Sequence, residues 1–521
     1  MRWGLLIVSF IMVLPFLIVA DETDEYVSQG AKIDPKKVEE AVKKGVEWLK
    51  SQQKPDGSWV GTGTYMEMYP FGTTALAVYA LLKGGVSPKE ECITKAFDYL
   101  RKGGFPGTYS VSCLILALAA LCEPPKPEQE VEETSPEKLK KLRTEAFEDP
   151  EKRMRKKAQE LPPWALDWLK QAHAWLIKSK TQSVWRYPGK DPGEASKKGV
   201  GAHNSMVDAS NAQYAMLALF ACHRLGIYTP ENVYIEVAEY YLKEQEEKGP
   251  EVKGFPVPVA DLPVAQLKKM LSERLKQLQE EAKEIPLTEE GKQELLKKLR
   301  TEVALKEDPY KKFGAEVQKM YARGWGYLPR SQTVRSENET EECFRPTGTM
   351  TTSGLIALSL CKVALEGSAW YKANEKRLCQ AIRDAAAWLD KNWTLDTNPN
   401  AGPGFSGWRY YYFYGLERVG AMTMMRKIGE HFWYEEVANR ILSEQQSDGS
   451  WQGETSSSTR PNVTPFSHGP LWNTCFAILF LKRATPPIIS GGDKTIYTGE
   501  GILGGKGPVA QPPPGEKQQE K

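Results

Sequence analysis

Histidine is scarce in this sequence, and neither sign of charge is in excess. The histidines among the 521 residues are His173, His203, His223, His431 and His468. None has the spacing of a metal-ligand pair, and no CxxC or CxxH occurs among the eight cysteines, so we expect no metal and no cofactor. The 69 Lys and Arg nearly balance the 67 Asp and Glu. This balance argues against a general attraction to nucleic acid or to anionic membranes.

Long apolar runs are also absent after the first twenty residues. Met1-Arg2 is a short basic start, residues 3–19 are almost wholly apolar, and an acidic stretch follows from Asp21. This order is typical of a signal peptide, 1–20, cleaved after Ala20, with an uncleaved anchor as the alternative. No cysteine follows the run, so a bacterial lipoprotein anchor is not indicated. We therefore expect an exported periplasmic or cell-surface protein with no membrane span in its mature chain.

Export would permit disulfides, but most of the cysteines stand in apolar surroundings. Those in Ala- and Leu-rich runs are expected to act as small apolar fillers: Cys113, Cys122, Cys222, Cys361 and Cys475. Cys92, Cys343 and Cys379 lie in more polar segments, and whether any of them pair is left open.

One type of segment recurs along the chain, a small polar residue followed by a dense run of Ala, Leu, Met and aromatic residues. The copies span 73–83, 109–121, 211–225, 351–363, 410–420 and 473–483. Helices that are apolar nearly all round are buried on all sides. Six such helices need a common centre, so the pattern predicts an all-α fold with an inner set of helices.

A second, amphipathic type of segment precedes most of these runs. In 35–53 the apolar residues recur with helical period, and Asp34-Pro35 supplies an N-cap and a first-turn proline. A capping box begins at Ser87, and Thr229-Pro230 begins a further helix. The repeating unit is therefore an outer amphipathic helix, a Gly-rich turn and an inner apolar helix.

Two charged insertions interrupt the repeats. Charged residues make up 21 of the 41 positions in 123–163 and 22 of the 49 in 264–312. Leucines at helical spacing in the second insertion predict a short helical hairpin that packs on itself, with partner binding as the alternative. The tail, 486–521, is rich in Gly, Pro, Lys and Gln and is expected to be disordered.

The turn between the first outer and inner helices carries a recognisable motif. Residues 44–59 read KGVEWLKSQQKPDGSW, a shorter copy ends at Trp451, and looser echoes are 324–327 and 407–410. The motif resembles the QW repeat of squalene and oxidosqualene cyclases, and the chain resembles exported bacterial prenyltransferase or squalene oxidase repeat proteins. The resemblance implies an α/α toroid, a double ring of helices, over 34–484 with the two insertions.

The motif is structural, and the catalytic motifs of squalene cyclases and related toroid proteins do not accompany it in this sequence. Neither the DxDD acid of squalene-hopene cyclases nor the DDxxD motif of ionising terpene synthases occurs, and the GCGEQ thioester and a zinc-ligand set are absent too. A carboxylic acid that protonates an alkene must be kept neutral and acidic by its neighbours. Whether the protein is an enzyme therefore stays undecided.

Ligands of such toroids meet the inner helices at one end, so polar and aromatic residues on those helices are the candidates. We expect ligand contacts at Asp208, Asn211, Tyr411, Tyr414, Glu417 and Trp472. Asp208 could instead only cap its helix, and the tyrosines could only pack. The leading hypothesis is a toroid that binds a small molecule, glycan or protein. The alternatives are an enzyme acting on a polysaccharide, for instance through Asp208 with Glu417 or Arg418, and an isoprenoid cyclase with a displaced acid.

Overall fold

A computed structural model gives the fold. It describes residues 33–63, 67, 69–123, 127–181, 183–186, 209–301, 309–331, 341–402, 407–455, 467–486 and 488. The predicted signal peptide, Asp208 and the predicted tail beyond residue 488 lie outside the described residues.

The described residues form helices joined by short turns. In chain order the helices are α1 (Pro35–Ser51), α2 (Pro70–Lys83), α3 (Glu91–Leu100), α4 (Thr108–Leu121), α5 (Pro127–Glu132), α6 (Leu139–Glu145), α7 (Pro150–Gln159), α8 (Pro163–Ser179), α9 (Ala209–Arg224), α10 (Glu231–Glu244), α11 (Pro258–Asp261), α12 (Val264–Lys283), α13 (Glu289–Thr301), α14 (Pro309–Phe313), α15 (Glu341–Phe344), α16 (Gly348–Leu365), α17 (Ala369–Lys391), α18 (Arg409–Thr423), α19 (Trp433–Glu444) and α20 (Pro470–Leu481). The strands pair antiparallel, β1 (Glu251–Val252) with β2 (Met320–Tyr321) and β3 (Glu454–Thr455) with β4 (Ser467–His468).

The helices of the described chain are arranged in two concentric rings. In the inner ring α2, α4, α9, α16, α18 and α20 each pack against the next, and α20 packs against α2. The outer ring consists of α1, α3, α8, α10, α17 and α19, each packed on one or two inner helices. The predicted all-α, α/α toroid fold is therefore confirmed.

The inner helices are buried because their sequences offer no polar face. In α4 the run from Val111 to Ala119 is buried without interruption. Small residues let neighbouring elements approach closely. At Gly354 of α16 an added Cβ would meet the indole of Trp325 at 2.4 Å, so this position has room only for glycine.

The outer helices are amphipathic, as their period predicts. Asp34 caps α1, and its carboxylate accepts a hydrogen bond of 2.9 Å from the Lys36 backbone N–H. The face formed by Val42, Val46 and Leu49 is buried toward the inner ring. The opposite face is exposed.

A hydrogen-bonded clamp fixes the turn between α1 and α2. The indole N–H of Trp59 donates to the Leu49 carbonyl at 2.7 Å, and its backbone N–H donates to the Thr74 hydroxyl at 2.9 Å. The Gln53 amide donates to the Cys92 carbonyl of α3 at 2.8 Å. The clamp thus joins one outer helix to its inner helix and to the next outer helix.

The same clamp after α19 closes the ring. The Trp451 indole donates to the Ile441 carbonyl at 2.8 Å, and the Trp451 backbone N–H donates to the Thr474 hydroxyl at 3.1 Å. The Gln445 amide donates to the Ala41 carbonyl of α1 at 2.8 Å. The last outer helix of the described chain is therefore tied to the first.

A third clamp is assembled from distant parts of the sequence. The Gln245 amide donates to the Ala381 carbonyl at 2.9 Å, and the Trp325 indole donates to the Tyr241 carbonyl at 2.8 Å. Residues 246–324, which include the second charged insertion, separate the glutamine from the tryptophan. The echo at 324–327 thus belongs to a complete clamp that an insertion has split.

The two charged insertions pack against each other. Helix α12 contacts α6, and α13 contacts α5. The Arg143 guanidinium donates to the Ile285 carbonyl at 2.5 Å, and the Gln279 amide donates to the Thr144 carbonyl at 3.2 Å. The leucine stripe of α12 is buried, as predicted, but the expectation of a hairpin packed only on itself was wrong. Its apolar stripe also needs the helices of the first insertion.

The cysteines and the apolar helices belong to the core of the rings. No two of the eight cysteines are joined in a disulfide, Cys92, Cys343 and Cys379 included. Within the described residues α16 alone has the length and hydropathy of a membrane-spanning helix, and it is largely buried as a member of the inner ring.

Candidate functional site

The N-terminal ends of the inner helices meet at one end of the toroid, here called the mouth. Tyr109 near the start of α4 and Tyr411 near the start of α18 are hydrogen-bonded through their hydroxyl groups at 2.8 Å. The Trp472 indole near the start of α20 donates to the Thr73 hydroxyl of α2 at 3.1 Å. The Ser353 hydroxyl of α16 donates to the carbonyl of the first residue of α9. The inner helices therefore run in the same direction.

Three aromatic side chains stack at the mouth, and we call Trp408, His468 and Trp472 the mouth cluster. The ring centroids of Trp408 and Trp472 are 6.2 Å apart at an interplanar angle of 29°. His468 is buried and stacks on Trp408 at 5.4 Å. Both tryptophans are partly exposed, so part of the cluster is accessible.

The axis of the inner ring is closed directly below the mouth cluster. Helices α4 and α18 are three positions apart in the ring order and so lie opposite each other. The Tyr109–Tyr411 hydrogen bond links them across the axis, and the Tyr411 hydroxyl donates to the Gln213 side-chain carbonyl of α9 at 2.8 Å. The Tyr214 ring stacks on Tyr411 at 6.0 Å. Aromatic rings therefore fill this level of the axis.

A buried cation lies deeper in the ring. The Arg418 guanidinium is 3.7 Å from the ring centroid of Tyr414 and 4.4 Å from that of Tyr214. Tyr79 of α2 is buried beside Tyr414, and burial raises the pKa of Tyr79. Burial raises the pKa of Tyr214 and Tyr414, while the guanidinium lowers it to a smaller extent. Both tyrosines are therefore neutral at ordinary pH.

A carboxylate with a shifted pKa stands beside the mouth cluster. Burial raises the pKa of Glu454 to about 7, although Arg409 opposes the shift through a 3.2 Å ion pair and a backbone hydrogen bond. One Glu454 oxygen lies 3.8 Å from Nε2 of His468. Arg409 also forms a two-point ion pair with Glu444. The positive charge of Arg409 is therefore shared between the carboxylates of Glu454 and Glu444. A group with a pKa near 7 can both donate and accept a proton at neutral pH.

The structure brings some of the predicted site residues together. Trp472 belongs to the mouth cluster, Tyr411 to the axial closure below it, and Tyr414 to the layer below that. Asn211 is buried near the start of α9. Asp208 immediately precedes α9 but lies outside the described residues.

Glu417 is placed differently from its expected position. Its carboxylate accepts hydrogen bonds from the Thr485 backbone N–H at 3.0 Å and from the Thr485 hydroxyl at 2.6 Å. Thr485 follows the C-terminal end of α20, so Glu417 faces the end of the ring away from the mouth. Helical spacing from Tyr414 indicated a shared face but not how deep in the ring that face lies.

The sequence patterns indicated no site role for Glu454 or Tyr109. Glu454 follows the clamp residue Trp451 by three positions, so its location beside α18 depended on knowing that the clamp forms. Trp408 belonged to an echo of the clamp motif, yet it stacks in the mouth cluster. No signal in the sequence distinguishes that tryptophan from the clamp residues. Among the described residues no His, Cys, Asp or Glu side chains are grouped so as to hold a metal ion.

Comparison with known proteins gives structural neighbours but no family. No family model matches the chain, and no curated protein matches it significantly. The type II terpene cyclase MstE from Scytonema is 9% identical, with a TM-score of 0.34, and the match covers 86% of this chain and 99% of that one. The GH76 α-mannanase of Bacteroides thetaiotaomicron is 9% identical, with a TM-score of 0.37, and the match covers 87% of this chain and 96% of the mannanase. The glucoamylase of Hormoconis resinae is 10% identical, with a TM-score of 0.30, and the match covers 90% of this chain and 80% of the glucoamylase. Identities and TM-scores as low as these support no statement about the activity or family of this chain.

Proposed function

We propose that the protein is an exported toroid that binds a glycan at its mouth, with Trp408 and Trp472 as the stacking surface. The observation that carries the proposal is the mouth cluster itself: nearly parallel, partly exposed tryptophan rings above a closed axis. Flat aromatic faces beside hydrogen-bonding groups are the usual composition of a ligand site. A sugar ring offers such a surface an apolar face for stacking and hydroxyl groups for hydrogen bonds.

The closed axis favours surface binding over cyclisation of an isoprenoid. A cyclase has to enclose a long apolar chain away from water. Here the hydrogen-bonded Tyr109, Tyr411 and Gln213 occupy the axis directly below the mouth. A ligand at the mouth cluster therefore meets a polar floor.

Fluorescence titration with a panel of neutral gluco-, manno- and xylo-oligosaccharides tests the proposal. At least one oligosaccharide should change the tryptophan emission saturably, and Trp472→Ala should abolish the change. Trp164→Ala, at an exposed outer-ring tryptophan, is the matched control and should retain it. No response to any oligosaccharide, or an unchanged response in Trp472→Ala, would contradict glycan binding at the mouth.

The shifted pKa of Glu454 favours a second candidate, a glycan-cleaving enzyme in which Glu454 is the proton donor. A carboxylic acid that is still protonated near neutral pH suits the general-acid role in glycoside hydrolysis. Glu454→Gln should then abolish the release of reducing ends while binding persists. Release of reducing ends at the wild-type rate by this variant would exclude the role.

Asp208 is tested separately, because asparagine caps a helix about as well as aspartate does. If Asp208 contacts the ligand, Asp208→Asn should keep its thermal stability and lose oligosaccharide binding. Unchanged stability together with unchanged binding would reduce Asp208 to a helix cap.

A further inference from the structure

Arg418 places a positive charge inside the toroid, away from the mouth cluster. It lies in the second half of α18, and only 1% of the residue is exposed. Its guanidinium is flanked by the rings of Tyr414 and Tyr214, at 3.7 and 4.4 Å from their centroids. Arginine stays protonated at all accessible pH values, so this group is a permanent buried cation.

The cation has no carboxylate partner in the described part of the chain. Arg418 forms no ion pair there, and Nε, Nη1 and Nη2 are buried without a hydrogen-bond acceptor. The neighbouring Glu417 is engaged by Thr485 on another side of α18. The flanking tyrosines supply no negative charge, because burial raises the pKa of Tyr214 and Tyr414 and keeps both hydroxyls neutral.

The aromatic rings offset only part of the cost of burying this charge. A desolvated cation–π contact stabilises a guanidinium by less than the free energy that its removal from water costs, even after relaxation. The rings contact the guanidinium, yet none of its N–H groups has an acceptor in hydrogen-bond geometry among the described residues. Nε2 of Gln213 is another buried donor of the described residues without an acceptor.

We propose that the interior of the ring binds one small monovalent anion, of the chloride and nitrate class, at the edge of the Arg418 guanidinium. A monovalent anion neutralises the cation and accepts hydrogen bonds from its N–H groups, whereas a dianion would leave an unbalanced negative charge in apolar surroundings. The close packing of Tyr214 and Tyr414 favours a small ion over a carboxylate ligand. This site is independent of glycan binding at the mouth.

The test compares thermal unfolding in sodium chloride, bromide and nitrate with sodium methanesulfonate at matched ionic strength. Chloride, bromide and nitrate should raise Tm by several degrees in a saturable manner, because an ion bound only by the folded state stabilises it. The larger methanesulfonate ion should not. Equal Tm values in all four salts would overturn the proposal.

A pair of variants links the effect to the residue. Arg418→Met roughly keeps the length of the side chain and removes the charge. The difference in Tm between chloride and methanesulfonate should therefore disappear in this variant. Arg377→Met on the exposed face of α17 is the control and should keep it. If Arg418→Met does not fold, bromide anomalous scattering from crystals of the wild-type protein decides the question. A peak beside the guanidinium of Arg418 supports the site, and its absence there would overturn it.

Discussion

Single tryptophans fix the turns of the toroid. The indole N–H groups of Trp59, Trp325 and Trp451 each reach a carbonyl in the last turn of an outer helix. The carbonyls of Leu49 and Tyr241 also accept a hydrogen bond from the backbone N–H of Gln52 and Gln245, so the indole is a second donor to each. Each of the three indoles therefore ties down the end of an outer helix and fills the space between the rings.

Trp59→Ala should lower the free energy of unfolding by ~3–5 kcal/mol, the usual cost of truncating a buried aromatic residue. The indole is fully buried, and its hydrogen bond to Leu49 is lost as well. Urea unfolding followed by circular dichroism measures the change. Trp164→Ala removes an indole from the outer surface and should cost far less. Equal stability of the two variants would mean that the clamp contributes nothing.

Glu454 should give the protein a distinctive pH dependence. Its pKa in the fold, about 7, is above the ordinary value of 4.5, so between these values the folded state holds the proton that the unfolded state has released. The free energy of unfolding should therefore fall as pH rises from 4.5 toward 7, by up to ~3 kcal/mol from this group.

Glu454→Gln should remove that slope, whereas Glu39→Gln at an exposed outer position should retain it. Unfolding midpoints in urea at several pH values make the comparison. A Glu454→Gln profile parallel to that of the wild type would show that Glu454 titrates normally.

At the scale of elements, the sequence was most informative about the inner helices. The predicted runs 73–83 and 109–121 correspond to α2 and α4 with boundaries shifted by a few residues, and the other four runs match similarly. A run that is apolar on every side allows little besides a buried helix. The amphipathic period of 35–53 likewise predicted α1, because only one face of that helix is buried.

Local sequence patterns are less informative about how elements combine. Glu417 and Tyr414 share a helix, but the partner of Glu417 is Thr485, which follows a different helix. The leucines of α12 indicated an apolar stripe, but not that helices of the first insertion cover it. Both outcomes depend on contacts between residues far apart in the chain, which local periodicity does not encode.

The packed insertions should behave as a unit that can be released from the ring. Leu271 of α12 is buried, so Leu271→Asp places a charge in the interface between the insertions. We expect rapid proteolysis within 264–301, with the cooperative unfolding of the ring preserved. Lys269→Asp, at an exposed position of the same helix, is the control and should not change the cleavage pattern. Loss of cooperative ring unfolding in Leu271→Asp would show that the insertions are part of the toroid core.

For the whole molecule, the decisive contact joins the two ends of the ring. The Gln445 amide meets the Ala41 carbonyl, and α1 packs on both α19 and α20. Gln445→Ala should lower the free energy of unfolding by ~1–3 kcal/mol, because it removes the side-chain hydrogen bonds to the Ala41 and Gly449 carbonyls. Gln446→Ala, exposed and adjacent, should be close to neutral. Urea unfolding should remain a single transition in both variants, and a second transition in Gln445→Ala would mean that the ring opens in parts.

Ring closure also sets the order of events when the chain is made. Gln445 and Ala41 are 404 residues apart, so at ~5–20 residues per second α1 waits roughly 20 to 80 s for its last partner. During that interval one edge of α2 and the part of α1 that later packs on α20 have no neighbour. Contacts of such high sequence separation form late and slow the final step of folding. A nascent half-ring therefore exposes an apolar edge that other chains or chaperones meet before the ring can close.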